Sequence, residues 1–173
     1  MLNSKIIVVT GAESTGKSEL TKQLARYFHA SFIPEYAREY VEQLHRPYHY
    51  HDVEVIARKQ VSQLHDLMRM NPPLIIVDTW LIITRIWFEV VFDKTPDWLD
   101  EAIRETTIDL FLVCDTDLPW ISDPVRENGG DRRSYLQERY IEMIRSYGFR
   151  YEKVTGTGED RFQLAIQLVS GVL

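Results

Sequence analysis

Apolar residues along this chain fall into two kinds of segment that alternate. Continuous runs at Ile6–Thr10, Leu74–Val77 and Ile108–Cys114 read as strands buried on both faces. Shorter candidates are Ser31–Ile33 and Arg150–Val154. Between the runs, apolar positions recur at helical spacing. Leu20, Leu24, Ala25 and Phe28 form one such face. Residues 53–68 form another, through Val53, Ile56, Ala57, Gln60, Val61, Leu64, Leu67 and Met68. A third, over 135–147, uses Leu136, Tyr140, Met143, Ile144 and Tyr147, and a fourth runs from Asp160 to Val172. The stretch Trp80–Phe92 is strongly apolar but carries Arg85 and Glu89. A spanning helix needs about 20 apolar residues, so this segment reads as a buried helix. Strands alternating with helices predict an α/β fold: a parallel sheet, five strands on this count, covered by helices on both faces. The length of 173 residues fits a single domain, 1–173. In such sheets ligands lie beyond the carboxyl ends of the strands, so the residues after each strand carry the candidate chemistry.

The first strand is followed by Gly11-Ala12-Glu13-Ser14-Thr15-Gly16-Lys17-Ser18. It satisfies G-x-x-x-x-G-K-[ST] at every fixed position, between a strand and a helix, which is the context that pattern requires. Its glycines let successive backbone N–H groups close around phosphate oxygens, and the helix N-terminus adds positive potential. Lys17 supplies full charge near the β- and γ-phosphates, and the Ser18 hydroxyl is a ligand for Mg²⁺. The motif therefore predicts binding of a nucleoside triphosphate with Mg²⁺. The expected cofactor-binding set is Gly11, Glu13, Ser14, Thr15, Gly16, Lys17, Ser18 and Glu19.

After the second strand comes Pro34-Glu35-Tyr36-Ala37-Arg38-Glu39. Glu35 could accept a proton from a hydroxyl attacking the γ-phosphate; equally, Glu35 and Glu39 are acids that suit a first helical turn. Tyr36 and Arg38 are substrate candidates. Asp78 closes the third strand, as does a metal-shell aspartate in nucleotide kinases, although many strands end in Asp as a helix cap. Trp80 could shape the substrate pocket.

After the fourth strand, Asp115 opens a polar segment with Trp120, Asp123, Arg126, Gly129, Gly130, Arg132 and Arg133. Its glycines and guanidinium groups predict a cover over the nucleotide, approximately residues 120–135, that excludes water and neutralises transferring phosphate. A solvated loop pairing its own charges is the alternative. Trp120 is a candidate ring-stacking platform. The turn Gly156-Thr157-Gly158 could touch adenine or be a plain turn.

Charge and composition narrow the classes. A net charge of −6 argues against a nucleic-acid binder. With no spanning segment, and a chain that opens on a strand and leaves no room for a secretory leader, the expectation is a cytoplasmic protein. The single Cys114 lies in an apolar run and reads as a reduced core residue. His45, His49 and His51 lack metal-ligand spacing and read as loop polar groups.

Four segments in order, Val9 to Ser18, Glu35-Tyr36-Ala37-Arg38-Glu39, Asp78-Thr79, and Asp117-Leu118-Pro119-Trp120 with Asp123 and Arg126, resemble the kinase domain of the NadR-type nicotinamide riboside kinases. The resemblance spans nearly the whole chain. It implies a P-loop kinase fold and transfer of the ATP γ-phosphate to the 5′-hydroxyl of nicotinamide riboside, giving nicotinamide mononucleotide. It implies Lys17, Thr15 and Ser18 on phosphate and Mg²⁺, and Asp78 on metal or substrate hydroxyl. Arg126, Arg132 and Arg133 would act in the cover, and Trp120 would lie beside the nicotinamide ring. The catalytic set is then Lys17, Glu35, Asp78 and Arg126, with Tyr36, Arg38, Trp80, Asp115, Trp120 and Asp123 on the substrate. Multifunctional members of the family carry an adenylyltransferase domain ahead of this one; the present chain starts at the kinase strand. The other classes are a kinase for another nucleoside or metabolite, and a nucleotide-dependent switch. A GTP-specific switch would carry an Asn-Lys-x-Asp segment, and the sequence has none.

Overall fold

The computed structural model of the protein describes residues 4–122, 124 and 126–173. Five strands form one sheet: β1 (Lys5–Thr10), β2 (Ser31–Ile33), β3 (Leu74–Asp78), β4 (Leu110–Cys114) and β5 (Tyr151–Val154). Their order is β2-β3-β1-β4-β5, and every pairing is parallel. In the central register Ile7 lies opposite both Ile76 of β3 and Leu110 of β4. Among the described residues are seven helices, six between strands and the last after β5: α1 (Lys17–Tyr27), α2 (Tyr36–Gln43), α3 (Tyr50–Arg69), α4 (Leu81–Phe92), α5 (Asp97–Glu105), α6 (Gly130–Ser146) and α7 (Gly158–Ser170).

The continuous apolar runs are explained by a core on each side of the sheet. Alternate strand residues point to opposite faces. Ile6, Val8, Ile75, Val77, Phe111 and Val113 join side chains of α3, α4, α5 and α6 in one cluster. Their neighbours Ile7, Val9, Leu74, Ile76, Leu110, Leu112 and Cys114 join α1 and α7 in the other. Each fully buried aliphatic side chain contributes about 1.5–3 kcal/mol relative to exposure, so β1, β3 and β4 form the rigid frame. The carboxyl ends of all five strands lie along one edge. The loop of Gly11–Ser18, the turn after Asp78 and the segment after Cys114 therefore meet there.

All five strands and the five read helices are present, the apolar stretch Trp80–Phe92 among them as α4. Helix α6 starts at Gly130 rather than near residue 135, so the last part of the expected cover over 120–135 is the beginning of a helix. Helices α2 and α5 were not legible in the periodicity. No residue of α2 is buried, which removes the apolar face such a reading needs.

Gln137 joins the frame to the loop above it. The backbone N–H of Ala12 donates to its Oε1 (2.8 Å), and its Nε2 donates to the Cys114 carbonyl (2.8 Å), both buried. Gln137→Leu would leave a buried donor and a buried acceptor unpaired, each worth about 1–3 kcal/mol. The expected loss is about 2–4 kcal/mol in urea denaturation.

Candidate active site

Gly11 leaves β1 with φ 143°, and a Cβ there would stand 2.7 Å from the Cys114 carbonyl oxygen. Only glycine permits that approach. The following carbonyls are each held by a side-chain donor. Thr15 Oγ1 donates to Ala12 O (2.8 Å), Arg133 Nε to Glu13 O (2.8 Å), Arg133 Nη2 to Ser14 O (3.0 Å), and Arg161 Nη2 to Thr15 O (2.7 Å). With its carbonyls held in this way, the loop presents N–H groups to an anion. Arg161 is buried and also donates to the Gly156 carbonyl (2.8 Å) and Asp117 Oδ1 (2.7 Å). It ties the loops after β1, β4 and β5 into one unit.

Asp78 lies at the end of β3, 4% exposed, with the Ser18 side chain and Lys17 near enough to favour its charged form. Burial raises its pKa from 3.8 to about 6, and the neighbouring negative charge of Glu35 adds to the rise. Ser18, Lys17 and Thr79 act in the opposite direction. A carboxylate that is costly to ionise, paired with a serine hydroxyl at a phosphate loop, suits a hard divalent cation. Mg²⁺ is commonly held by one or two protein oxygens together with substrate phosphates and water. Ser18 and Asp78 are the pair that would hold it. Among the described residues no cluster of three or more His, Cys, Asp or Glu side chains could form an all-protein metal site.

A cavity of about 830 Å³ opens from this point. Gly11, Glu13, Lys17 and Glu35 line it beside the phosphate loop, and Tyr48, Trp87 and Tyr140 add aromatic surface to its wall. The Tyr48 ring meets Trp87 edge-on, with centroids 4.9 Å apart. The wall formed by residues 45–48 is fixed by Asp52. Its carboxylate accepts from Arg46 Nη1 (2.7 Å) and Nη2 (2.8 Å), the His49 N–H (2.7 Å) and the Tyr40 hydroxyl (3.1 Å). Arg46 and these further donors hold the Asp52 carboxyl well below the usual range.

The expected site residues divide accordingly. Gly11, Glu13, Lys17, Glu35, Arg38 and Arg132 line the cavity, with Ser18 and Asp78 beside its phosphate end. Several others do not. Arg133 is buried with its guanidinium on loop carbonyls, so it supports the loop instead of reaching for phosphate. The Thr15 hydroxyl is turned back to Ala12. The Ser14 hydroxyl exchanges hydrogen bonds with the backbone of Ile121. Glu19 is exposed on the first turn of α1, away from the cavity lining. Trp80 is 1% exposed and belongs to the core. Thr79 turns the chain with φ 67°, and the indole that follows points inward, its Nε1 without a partner among the described residues.

Tyr36 stands beside Tyr40 (centroids 5.9 Å) and is not part of the cavity wall. Asp115 accepts from the Thr116 N–H (2.9 Å), closing its own turn. Trp120 covers Gly129 and donates to Glu13 Oε2 (3.3 Å). Arg126 donates to the Ile121 carbonyl (2.7 Å). Asp123 lies outside the described residues. The sequence reading missed Gln137, Arg161, Tyr48 and Trp87. Ile83, Trp87 and Val90 share the helical face of α4 that lines the cavity, but α4 is apolar on nearly every side, so periodicity did not mark that face.

The raised pKa of Asp78 fixes a sign. The folded state binds this proton more tightly than the unfolded chain, so stability falls as pH rises from about 4 through 6. The shift from 3.8 to about 6 corresponds to about 3 kcal/mol. Asp78→Asn, which carries no charge, is expected to melt above the native protein at pH 8 without nucleotide. The gap should close as the pH is lowered to 4, measured by thermal denaturation across that range.

Comparison with known proteins agrees with this architecture. Residues 6–161 match the family model described as AAA domain. The trifunctional NAD biosynthesis/regulator protein NadR of Salmonella typhimurium is 24% identical over 98% of this chain and 43% of its own length. The chain thus spans less than half of that curated relative. The crystal structure of NadR protein in complex with NR superposes with a TM-score of 0.81 at 24% identity, over 98% of this chain and 51% of that one. Thymidylate kinase from Ehrlichia chaffeensis superposes with a TM-score of 0.70 at 12% identity, over 96% and 99%. The fold is that of the P-loop kinases, and the chain belongs to the AAA domain family.

Proposed function

We propose that the protein is an ATP-dependent small-molecule kinase that phosphorylates the 5′-hydroxyl of nicotinamide riboside, giving nicotinamide mononucleotide. The observation that carries this reading is the cavity itself. It is lined both by Lys17 and Glu35 at the phosphate loop and by the aromatic pair Tyr48 and Trp87. A nucleoside laid along it would direct its hydroxyl toward the γ-phosphate and its ring toward the indole. The cationic pyridinium of nicotinamide riboside is attracted to an indole or phenol face, and the Glu127 carboxylate borders the same wall. The complex of a NadR protein with NR supports this acceptor.

Each residue then has a task. The loop amides and Lys17 hold the transferring phosphates. Ser18 and Asp78 hold Mg²⁺, which when bound neutralises charge on the phosphate oxygens. Glu35 lines the cavity while Asp78 is enclosed with Ser18, so Glu35 is the carboxylate that receives the acceptor hydroxyl's hydrogen bond. Arg132, which lines the cavity, supplies further positive charge. Positioning and electrostatics suffice for this chemistry, without a covalent intermediate.

The test is ADP release from ATP·Mg²⁺ with nicotinamide riboside, adenosine, cytidine, thymidylate or no acceptor. Stimulation by nicotinamide riboside alone is expected. Stimulation by a different acceptor would keep the kinase and discard the substrate; no stimulation by any would favour a nucleotide-dependent switch. Lys17→Ala is expected to lower the stimulated rate by about 10³-fold while the melting curve stays cooperative. A rate near that of the native protein would overturn the role of the loop.

A further inference from the structure

Glu13 is an acid in a loop built for anions. Its carboxylate lines the cavity at the phosphate end, near Lys17, where a negative charge opposes triphosphate binding. That carboxylate is fully engaged elsewhere. The Trp120 indole donates to Oε2 (3.3 Å), and so does the Asn128 N–H (3.0 Å). The Glu127 N–H donates to Oε1 (3.2 Å), as does Asn128 Nδ2 (2.8 Å). All these donors come from the segment between β4 and α6. Charge-assisted bonds of this kind are stronger than neutral ones.

The segment they hold reaches the aromatic wall. Glu127 Oε2 accepts from the Tyr48 hydroxyl (3.3 Å), and Tyr48 stands edge-on to Trp87. A continuous series of contacts thus runs from the phosphate loop through Glu13, the backbone of 127–128 and Tyr48 to the acceptor end. Meanwhile Arg133 holds the Glu13 carbonyl (2.8 Å), so the base of the Glu13 side chain cannot drift with the segment it grips.

We propose that Glu13 is a positioning residue for the acceptor: it anchors the backbone of Glu127 and Asn128 to the phosphate loop and so sets the Glu127–Tyr48 wall at the correct distance from the γ-phosphate. This rests on reading the cavity as the acceptor site. The charge that Glu13 adds beside the phosphates is tolerated because two carboxylate oxygens accept more bonds than any neutral side chain of that size.

Glu13→Gln tests it. An amide has one acceptor oxygen, so the donors that shared the other oxygen lose their partner. Two measurements are made on the full chain: KM for acceptor and for ATP, and hydrogen exchange of the 127–128 amides. The expected result is an acceptor KM raised about tenfold or more, an ATP KM unchanged or lowered, and faster exchange at 127–128 with α1 unaffected. Tyr48→Phe should raise the acceptor KM without changing exchange at 127–128. If Glu13→Gln alters only the ATP KM, Glu13 acts as a charge beside the phosphates and the proposal is overturned while the kinase reading stands. Unchanged exchange at 127–128 overturns the anchoring role whatever the kinetics show. If the native protein phosphorylates no acceptor, the kinase reading falls and the acceptor role falls with it.

Discussion

A phosphate loop works only if its carbonyls point away from the ligand, and carbonyls turned outward into protein must find donors. This requirement shapes much of the structure around residues 12–15. A buried carbonyl without a partner would cost about 1–3 kcal/mol, and consecutive ones would favour another loop conformation. Arg133 from α6 and Arg161 from α7 supply the donors for Glu13, Ser14 and Thr15, and Gln137 receives the Ala12 N–H. The helices after β4 and β5 therefore stabilise the loop after β1. An arginine suits this work because one planar fork can serve two adjacent carbonyls.

That division of labour explains which features were legible in the sequence. The loop, the three central strands and the α/β class could be read directly, because burial on two faces leaves unbroken apolar runs and the motif sits in its required context. The start of α6 was not legible. Its first turn, Asp131-Arg132-Arg133, is polar and follows two glycines, so it resembles a loop. Its polar character serves the phosphate loop: Arg133 is buried for its hydrogen bonds, a reason that leaves no hydrophobic period. The arginines were read as a cover over phosphate; the Arg133 guanidinium instead holds the Glu13 and Ser14 carbonyls.

Trp80 was misread, and Trp87 missed, for a related reason. Trp80 follows a strand end, where site residues concentrate, yet the left-handed turn at Thr79 sends its indole into the core. Trp87 sits mid-helix in a segment apolar on nearly every side, so no face stood out. Only the packing of α3, α5 and α6 around α4 distinguishes its cavity face from its core face. Side-chain direction at a strand end depends on one backbone dihedral, and composition does not encode it.

The two ends of the cavity are held by different kinds of interaction. At the phosphate end, buried bonds between helices and loop backbone fix the geometry, and each is costly to break. At the acceptor end, Glu127 meets Tyr48 through a solvent-exposed contact at 3.3 Å, and exposed polar contacts contribute little to stability. A substitution at Tyr48, Trp87 or Glu127 can therefore reshape the acceptor wall while the buried scaffold of the phosphate loop stays intact. The same frame can thus keep one nucleotide chemistry while its acceptor changes. Glu13 is where the two regimes meet, since its carbonyl belongs to the rigid end and its carboxylate to the adaptable one.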